Sequence, residues 1–389
     1  MITVDEALSH LFALATPLST ERVGLAEAAG RVMVEDATAR RDQPPFAASA
    51  MDGYAVAGPV TGGESYTVIG ESAAGTGFTG SVSSGQSVRI FTGAPVPEGC
   101  DTVIIQEDIT RDGDRITVTG DHNGSNIRPA GGDFRTGHAL KAPRRLSPSD
   151  VALLASMNIP EVTVSRKPDI VVISTGNELV MPGEIPGPDQ IIASNTFGLK
   201  ALLDANGAST RILPIARDTE NSLRQVFDLA KGADLVVTIG GASVGDHDLV
   251  GKVAADLGMR QSFYKIAMRP GKPLMAGQMA DSMMVGLPGN PVSAMVCGHI
   301  FLLPVVDAML GLPAKRRPLL KATTTKELPA NGPREHYMRA RIDDGQIAAY
   351  DRQDSALLTV LADANALLMR PSNDGPKPIG SDVFYLPIA

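Results

Sequence analysis

Residues 234–248 read Asp-Leu-Val-Val-Thr-Ile-Gly-Gly-Ala-Ser-Val-Gly-Asp-His-Asp. Leu235 to Ile239 is a short, β-branched apolar run with the signature of a buried strand. It passes directly into Gly240, Gly241, Ala242 and Ser243, where paired glycines let the backbone turn sharply and present N–H groups. Asp246 and Asp248 follow, and then an apolar periodicity at Val250, Val253, Ala254 and Leu257. The order is strand, glycine loop, acidic residues, helix. In an open parallel sheet, ligands bind at the carboxyl ends of strands. A loop of this composition holds an anion on its amides and a cation on its carboxylates.

The same alternation extends on both sides. Asp169–Ser174 is an expected strand with Thr175-Gly176-Asn177-Glu178 as its loop. Ser194–Asn206 is an expected helix with Leu199, Leu202 and Leu203 on one face, closed by Gly207. Arg211–Ile215 is the next strand, and Arg217-Asp218-Thr219 opens a helix with Leu223, Val226, Phe227 and Ala230 at helical spacing. Ser262–Ile266 and Met283–Leu287 complete the strands, and Pro288-Gly289-Asn290-Pro291-Val292-Ser293 starts a long helix to about Leu310. Strands alternating with helices predict a doubly wound parallel sheet over 168–316.

The flanks read differently. Val4, Ala7, Leu8, Leu11 and Ala15 have helical spacing ended by Pro17, Leu25–Ala29 is a second short helix, and Arg31–Ala39 is extended, a packing or dimerising arm. Pro44-Pro45 enforces an extended linker. Tyr66–Ile69, Ser87–Thr92, Thr102–Gln106 and Arg115–Thr119 are short strands of a β-rich module over 42–135. Ser149–Met157 is a helix with Ser149 as its cap, and Val162–Val164 is extended. The module is therefore an insertion within a helical linking domain, 1–41 with 136–167. Beyond the basic linker 313–318, five strands (Leu319–Thr325, His336–Ile342, Ala348–Asp351, Ala366–Arg370 and Val383–Leu386) predict a small β-barrel over 317–389.

Bulk properties narrow the function. The net charge of −8 and sequence pI near 5.3 disfavour a general nucleic-acid binder, which needs a broad basic face. Trp is absent, so no aromatic stacking platform is suggested. Two cysteines, Cys100 and Cys297, make no disulfide framework and fit a reducing compartment, with the cytoplasm as the default. The start of the chain carries Asp5 and Glu6 without Lys or Arg up to residue 15, unlike a signal peptide. No apolar run is expected to approach the roughly 20 residues of a membrane span.

Several motifs are missing: a P-loop, G-x-G-x-x-G after the first strand, and any His/Cys spacing suited to zinc. His247 reads as a solvent-exposed loop residue. By composition alone Asp52 is a turn residue before it is a catalytic one, and Asn126–Arg135 is a solvated loop. What remains is a series of loops after successive strands, with Glu178, Asp218, Asp246 and Asp248, followed by Lys265, Arg269 and Lys272. Grouped carboxylates favour a hard cation such as Mg²⁺ bound with substrate phosphates. Three cations within eight residues of an acidic chain suggest an oxyanion.

S-A-M-D-G-Y-A-V (49–56), F-T-G-A-P-V-P (91–97), S-T-G-N-E-L (174–179), G-G-A-S-V-G-D-H-D (240–248), R-P-G-K-P (269–273) and L-P-G-N-P-V-S-A (287–294) resemble the MoeA family. These are the molybdopterin molybdenumtransferases, related to the E domain of gephyrin. The resemblance covers nearly the whole chain, with six motifs in register. It implies a MoaB/MogA-like α/β domain among four domains, and an elongated homodimer whose cleft is shared between subunits. It also implies the chemistry: adenylylated molybdopterin binds, molybdate enters at the dithiolene, and AMP leaves in a Mg²⁺-dependent step.

The resemblance likewise implies residue roles. Ser243 and Asp248 belong to the nucleotide and Mg²⁺ site, with Gly240, Gly241 and Asp246 in the same loop. Glu178 and Asp218 line that pocket. Lys265, Arg269, Lys272 and Ser293 face molybdate or the terminal phosphate, beside Pro288 and Pro291. Asp52, Thr92 and Asp133 come from the partner subunit, and Arg339 and Ser355 match more weakly. Molybdate, a tetrahedral dianion, suits Arg269 and Lys272. Transient contacts with other molybdenum cofactor enzymes are a further implication.

Three departures stand out. Ala47-Ala48 replace a frequent Asp-Asn, Asn177 replaces a frequent Asp, and Arg269 replaces a frequent Lys. Competing readings are a nucleotide-directed hydrolase or deamidase related to CinA, a peptide-binding scaffold, and molybdate storage without catalysis.

Overall fold

The computed structural model describes residues 1–120, 122, 124–241 and 249–388. They form two compact units. One comprises Met1–Glu21, Gly30–Val34 and Val164–Ala389; the other comprises Arg22–Ala29 and Glu35–Thr163.

The first unit is built on a six-stranded sheet. Its order is Ser209–Ile212, Asp169–Ser174, Leu235–Ile239, Ser282–Leu287, Met275–Met279, Arg260–Tyr264. The first four strands are parallel. They are apolar without alternation because both faces are covered. Ile170 and Val172 enter one core with Leu199, Val237 and Val285, while Val171 and Ile173 enter the other with Leu223, Phe227 and Val250.

The last two pairings are antiparallel, with Met275–Met279 running against both of its neighbours, which the expected strand–helix alternation did not anticipate. The reason lies in the connections. Met279 and Ser282 pair across a tight turn with Ala280 at φ +51°, and a hairpin of this kind reverses the chain without a helical crossover.

The helices follow the expected periodicity. Thr219 caps Glu220–Leu229 by accepting from the Ser222 N–H. Leu223, Val226 and Phe227 are buried there. The N-terminal helix Val4–Leu14 carries a Thr3/Glu6 capping box and buries Val4, Ala7, Leu8 and Leu11 in the core of the sheet. The long helix runs from Pro291 to Met309, with one wide turn over Gly298–Leu302 where the Leu303 N–H reaches back to the Gly298 carbonyl. Pro304 has no N–H to donate to residue 300, so the ladder widens just before it.

By length and composition this 19-residue helix is apolar enough to cross a membrane, contrary to the expectation that no run comes near that length. Of its 18-residue apolar window, 89% is buried, and it serves as the core helix of the unit.

The C-terminal region closes a five-stranded barrel. Glu335–Asp343 pairs with Gln346–Ala349 and with Ala366–Arg370. Leu320–Thr324 and Asp382–Pro387 complete the circle. Met268–Arg269 adds to it in parallel, placing Arg269 opposite His336.

The second unit contains a six-stranded sheet ordered Thr102–Ile105, Gly53–Val56, Gln86–Ile90, Ser65–Ser72, Arg115–Val118, Ile109–Asp112. Gly53–Val56, absent from the strands expected from sequence, is an interior strand of this sheet. A Cβ on Gly53 would lie 1.9 Å from the Ile104 carbonyl oxygen, so only glycine allows the two strands to meet there. The predicted helix at Leu25–Ala29 is a single 3₁₀ turn, Leu25–Glu27. The helix Pro148–Ser156 is capped by Ser147 in a capping box with Asp150, not by Ser149, because Pro148 occupies the first helical position.

Candidate active site

Between Asp169–Ser174 and Leu235–Ile239 the strand order reverses. The chain leaves the first of these strands for its neighbour on one side and then crosses to the other side. The crevice beyond their carboxyl ends is where a doubly wound sheet binds ligands. Here it is a cleft of about 1020 Å³. Thr175-Gly176, Glu178 and Asp218 line one side, Gly240-Gly241 the floor, and Pro288-Gly289-Asn290-Pro291 the other side.

Two glycines are required by this geometry. Gly240 has φ +89°, and a Cβ there would meet the Thr175 carbonyl oxygen at 2.8 Å. Gly241 has φ +66°, and its Cβ would lie 2.2 Å from Val250 Cγ2. The sharp exit from the strand and the close approach of the following helix therefore both depend on the glycine pair.

The loops of the cleft are tied to one another by side chains. The Asn177 N–H donates to Asp218 Oδ2 at 3.2 Å, and the Asp218 N–H donates to Asn177 Oδ1 at 3.1 Å. Asn177 thus fills the family's frequent Asp position as a loop-to-loop partner. Arg217 Nη1 donates to the carbonyls of Gly176, Asn177 and Leu179, the last at 2.9 Å. On the opposite side, Asn195 Nδ2 donates to the Gly289 carbonyl at 2.8 Å. Asn290 Nδ2 donates to Ser355 Oγ at 3.0 Å, and the Val292 N–H donates to the Ser355 carbonyl. Ser355 is thereby fixed at the start of the helix that carries the buried Ser293.

A basic group lies beside Ser355. Arg339 is fully buried, and its Nη2 donates to the Asp354 carbonyl at 2.9 Å and, longer, to the Arg352 carbonyl at 3.4 Å. Its Nε and Nη1 are buried without a partner, as is His336 Nε2. Burial, followed by the charges of Arg269 and Arg339, pulls His336 down to about 4, so it is neutral at pH 7. Arg269 and Lys272 are exposed. Lys265 holds a φ of +72°, with its ammonium 5.0 Å from the Tyr264 ring centre.

Ser243, Asp246, His247 and Asp248 lie outside the described residues. Among the described residues, no three His, Cys, Asp or Glu side chains gather as a metal site. Glu178 and Asp218 are the two described carboxylates of the cleft, and their hard oxygens are of the kind a divalent cation accepts.

The second unit holds Asp52, Thr92 and Asp133. Asp52 Oδ1 accepts from both the N–H and the hydroxyl of Thr92, each at 2.7 Å. These two bonds, the N–H first, hold the Asp52 carboxyl below its usual range. Asp133 is an exposed residue on a separate loop, paired through its backbone N–H to the Gln43 carbonyl.

Sequence reasoning did not single out Arg89. Its guanidinium lies 5.0 Å from the Tyr54 ring centre and 4.8 Å from that of Phe91, and it donates to the Gly53 carbonyl and to Gln106. Arg217, Asn195 and Asn290 were not assigned to the site either. For Arg217 and Asn290 the available signal was their adjacency to Asp218 and Pro291 in loops already assigned to strand ends.

Family models match in order along the chain. They are the MoeA N-terminal region (domain I and II) over residues 2–158, a probable molybdopterin binding domain over 171–308, and the MoeA C-terminal region (domain IV) over 321–388. A molybdopterin molybdenumtransferase of Haemophilus influenzae is 35% identical over 100% of this chain and 98% of its own length. One from Nostoc sp. is 33% identical over 99% and 94%. The crystal structure of the molybdopterin biosynthesis moeA protein of Pyrococcus horikoshii OT3 superposes with a TM-score of 0.85 at 26% identity, covering both chains completely. With similarity of this extent over whole chains, and three family models in register, the chain belongs to the MoeA family.

Proposed function

We propose that this chain is a molybdopterin molybdenumtransferase, which inserts molybdate into adenylylated molybdopterin with release of AMP, giving molybdenum cofactor. The observation that carries this reading is Arg339. A fully buried guanidinium with two unpartnered nitrogens is costly unless an anion completes it. Its neighbour in the chain of contacts is Ser355, held at the helix start by Asn290. Arg269 and Lys272 supply exposed positive charge through which a tetrahedral dianion is attracted and oriented.

In this proposal the nucleotide lies on the Gly240–Ser243 loop, with Lys265, Ser293, Pro288 and Pro291 around its phosphates. Mg²⁺ would be held by Glu178, Asp246 and Asp248. When bound it neutralises phosphate charge. Asp218 positions the Glu178 loop through its reciprocal bonds to Asn177. Asp52, Thr92 and Asp133 act from the partner subunit of a homodimer, and 1–41 with 136–167, 42–135, 168–316 and 317–389 are its four domains. A cytoplasmic location is supported by the two free cysteines.

The test is AMP release from adenylylated molybdopterin with and without molybdate. Release that requires molybdate and yields metal-containing pterin is expected. Turnover of pyridine nucleotides, with none of adenylylated molybdopterin, would instead indicate the hydrolase reading.

A further inference from the structure

A second pocket, of about 470 Å³, opens next to the cleft and shares Ser194 and Asn195 with it. Its walls are Met295, Leu358, Leu361, Ala364 and Ile388, with His299 among them. No residue assigned to the reaction lies in it. We propose that this pocket is a binding site for an uncharged, planar heteroaromatic ring of purine or pterin size.

Three features select that chemistry. The volume falls in the range of about 300–1,000 Å³ typical of small-molecule sites. The aliphatic walls exclude charged groups, which would lose their hydration without compensation. Met295 offers a polarizable sulfur, which favours aromatic rings.

The polar element is His299. It lies in the wide helical turn Gly298–Leu302 and is 93% buried by its 7% exposure. Its Nδ1 is buried and has no hydrogen-bond partner. Burial, with the Arg317 charge as a second cause, holds the ring near pKa 4 and so neutral at pH 7. A neutral imidazole matches one donor or acceptor on the edge of a heterocycle, and an aliphatic ligand would leave it unmet. Wide turns of this kind concentrate at functional sites.

The pocket also connects to the cleft. Asn195 takes a bond from Ser194 on its Oδ1 and holds the Gly289 carbonyl with its Nδ2. Gly289 lines the cleft. Met295 stands on the same helical turn run as Pro291 and Ser293. A ring in the pocket would therefore sit beside whatever occupies the cleft. It has two possible sources: the ring end of a nucleotide whose phosphates lie in the cleft, or a separate ring compound.

The experiment follows the Met295 methyl signal in methyl-labelled full-length protein, assigned with Met295→Leu. Adenine, pterin, AMP and, as an aliphatic control, hexanol are titrated into the millimolar range. Adenine or pterin is expected to shift the Met295 signal saturably, and Leu361→Trp, which fills the pocket, is expected to abolish that shift. If the ring belongs to the cleft nucleotide, AMP binds at least about tenfold tighter than adenine and loses that advantage in Leu361→Trp. If it is a separate compound, AMP and adenine bind alike, and Leu361→Trp leaves molybdate-dependent AMP release unchanged.

The proposal is overturned if neither heterocycle moves the signal, if hexanol moves it and they do not, or if the shift survives in Leu361→Trp. His299→Leu gives an independent check: it should weaken the heterocycles and strengthen hexanol. None of the outcomes that would overturn the proposal depends on the transferase activity itself, so failure here and failure of the proposed reaction are distinguishable.

Discussion

Replacing Arg339 with methionine should separate the anion site from the stability of the fold. A well-paired buried arginine normally costs about 3–5 kcal/mol to break. Arg339 is not well paired: it makes one bond of 2.9 Å and one of 3.4 Å, and leaves Nε and Nη1 buried and empty. Methionine gives up the two bonds, of which the one to Asp354 is worth about 1.5–3 kcal/mol and the longer one less. It also removes two unsatisfied donors, each costing about 1–3 kcal/mol. The opposing contributions nearly cancel, so urea unfolding in chloride buffer should place the variant within about 1 kcal/mol of wild type.

Molybdate should restore the difference. At a hundredfold excess over its dissociation constant, a ligand of the folded state stabilises it by about 2.7 kcal/mol. Wild type should show that gain, and Arg339→Met should lose most of it. A variant destabilised by about 3 kcal/mol or more without anion, or one that keeps the full molybdate response, would refute the idea that Arg339 is an anion receptor awaiting its ligand.

Other expectations concern the exposed cations, the histidines and the shared cleft. Arg269→Ala and Lys272→Ala should each raise the molybdate concentration for half-maximal AMP release by roughly tenfold to a hundredfold, the loss of one charge-assisted contact. An unchanged dependence in both would place the anion elsewhere. His299 and His336 both sit near pKa 4, below the usual 6.5. As pH falls the unfolded chain takes the protons first, so stability declines from about pH 6.5 and levels off near 4. At pH 5 the loss should be about 2 kcal/mol for each histidine. Denaturant midpoints at pH 7 and pH 5 for the His299→Gln/His336→Gln double variant should differ less than those of wild type. Asp52→Ala and Asp248→Ala should each cut molybdate-dependent AMP release strongly. Mixing them under subunit exchange should recover about a quarter of wild-type activity if the clefts act independently, because one cleft of each mixed dimer carries neither change. Exchange without recovery would put the site within one chain.

Local patterns carried much of the fold. Leu235–Ile239 followed by Gly240-Gly241 was legible because a strand buried on both faces must be continuously apolar, and because few residues other than glycine take its exit angle. The helix Glu220–Leu229 was legible from its cap and from the spacing of Leu223, Val226 and Phe227. The barrel strands were legible as short runs between turn residues. In the same way, the carboxylates at strand ends marked Glu178 and Asp218, which line the cleft.

What the sequence by itself determined, then, was the strands and helices with strong local periodicity and the loops that carry charge, since these depend on neighbours within a few residues. Tertiary structure decided what depends on distant partners. Met275–Met279 is antiparallel only because Ser282 folds back on it. Gly53–Val56 is a strand only because Thr102–Ile105 and Gln86–Ile90 pair with it on both sides. The lock of Asn177 on Asp218, the tie from Asn290 to Ser355, and the burial of Arg339 with two empty nitrogens join residues dozens of positions apart. No local pattern encodes such pairs, because their free energy arises when water is excluded from groups that the folded chain brings together.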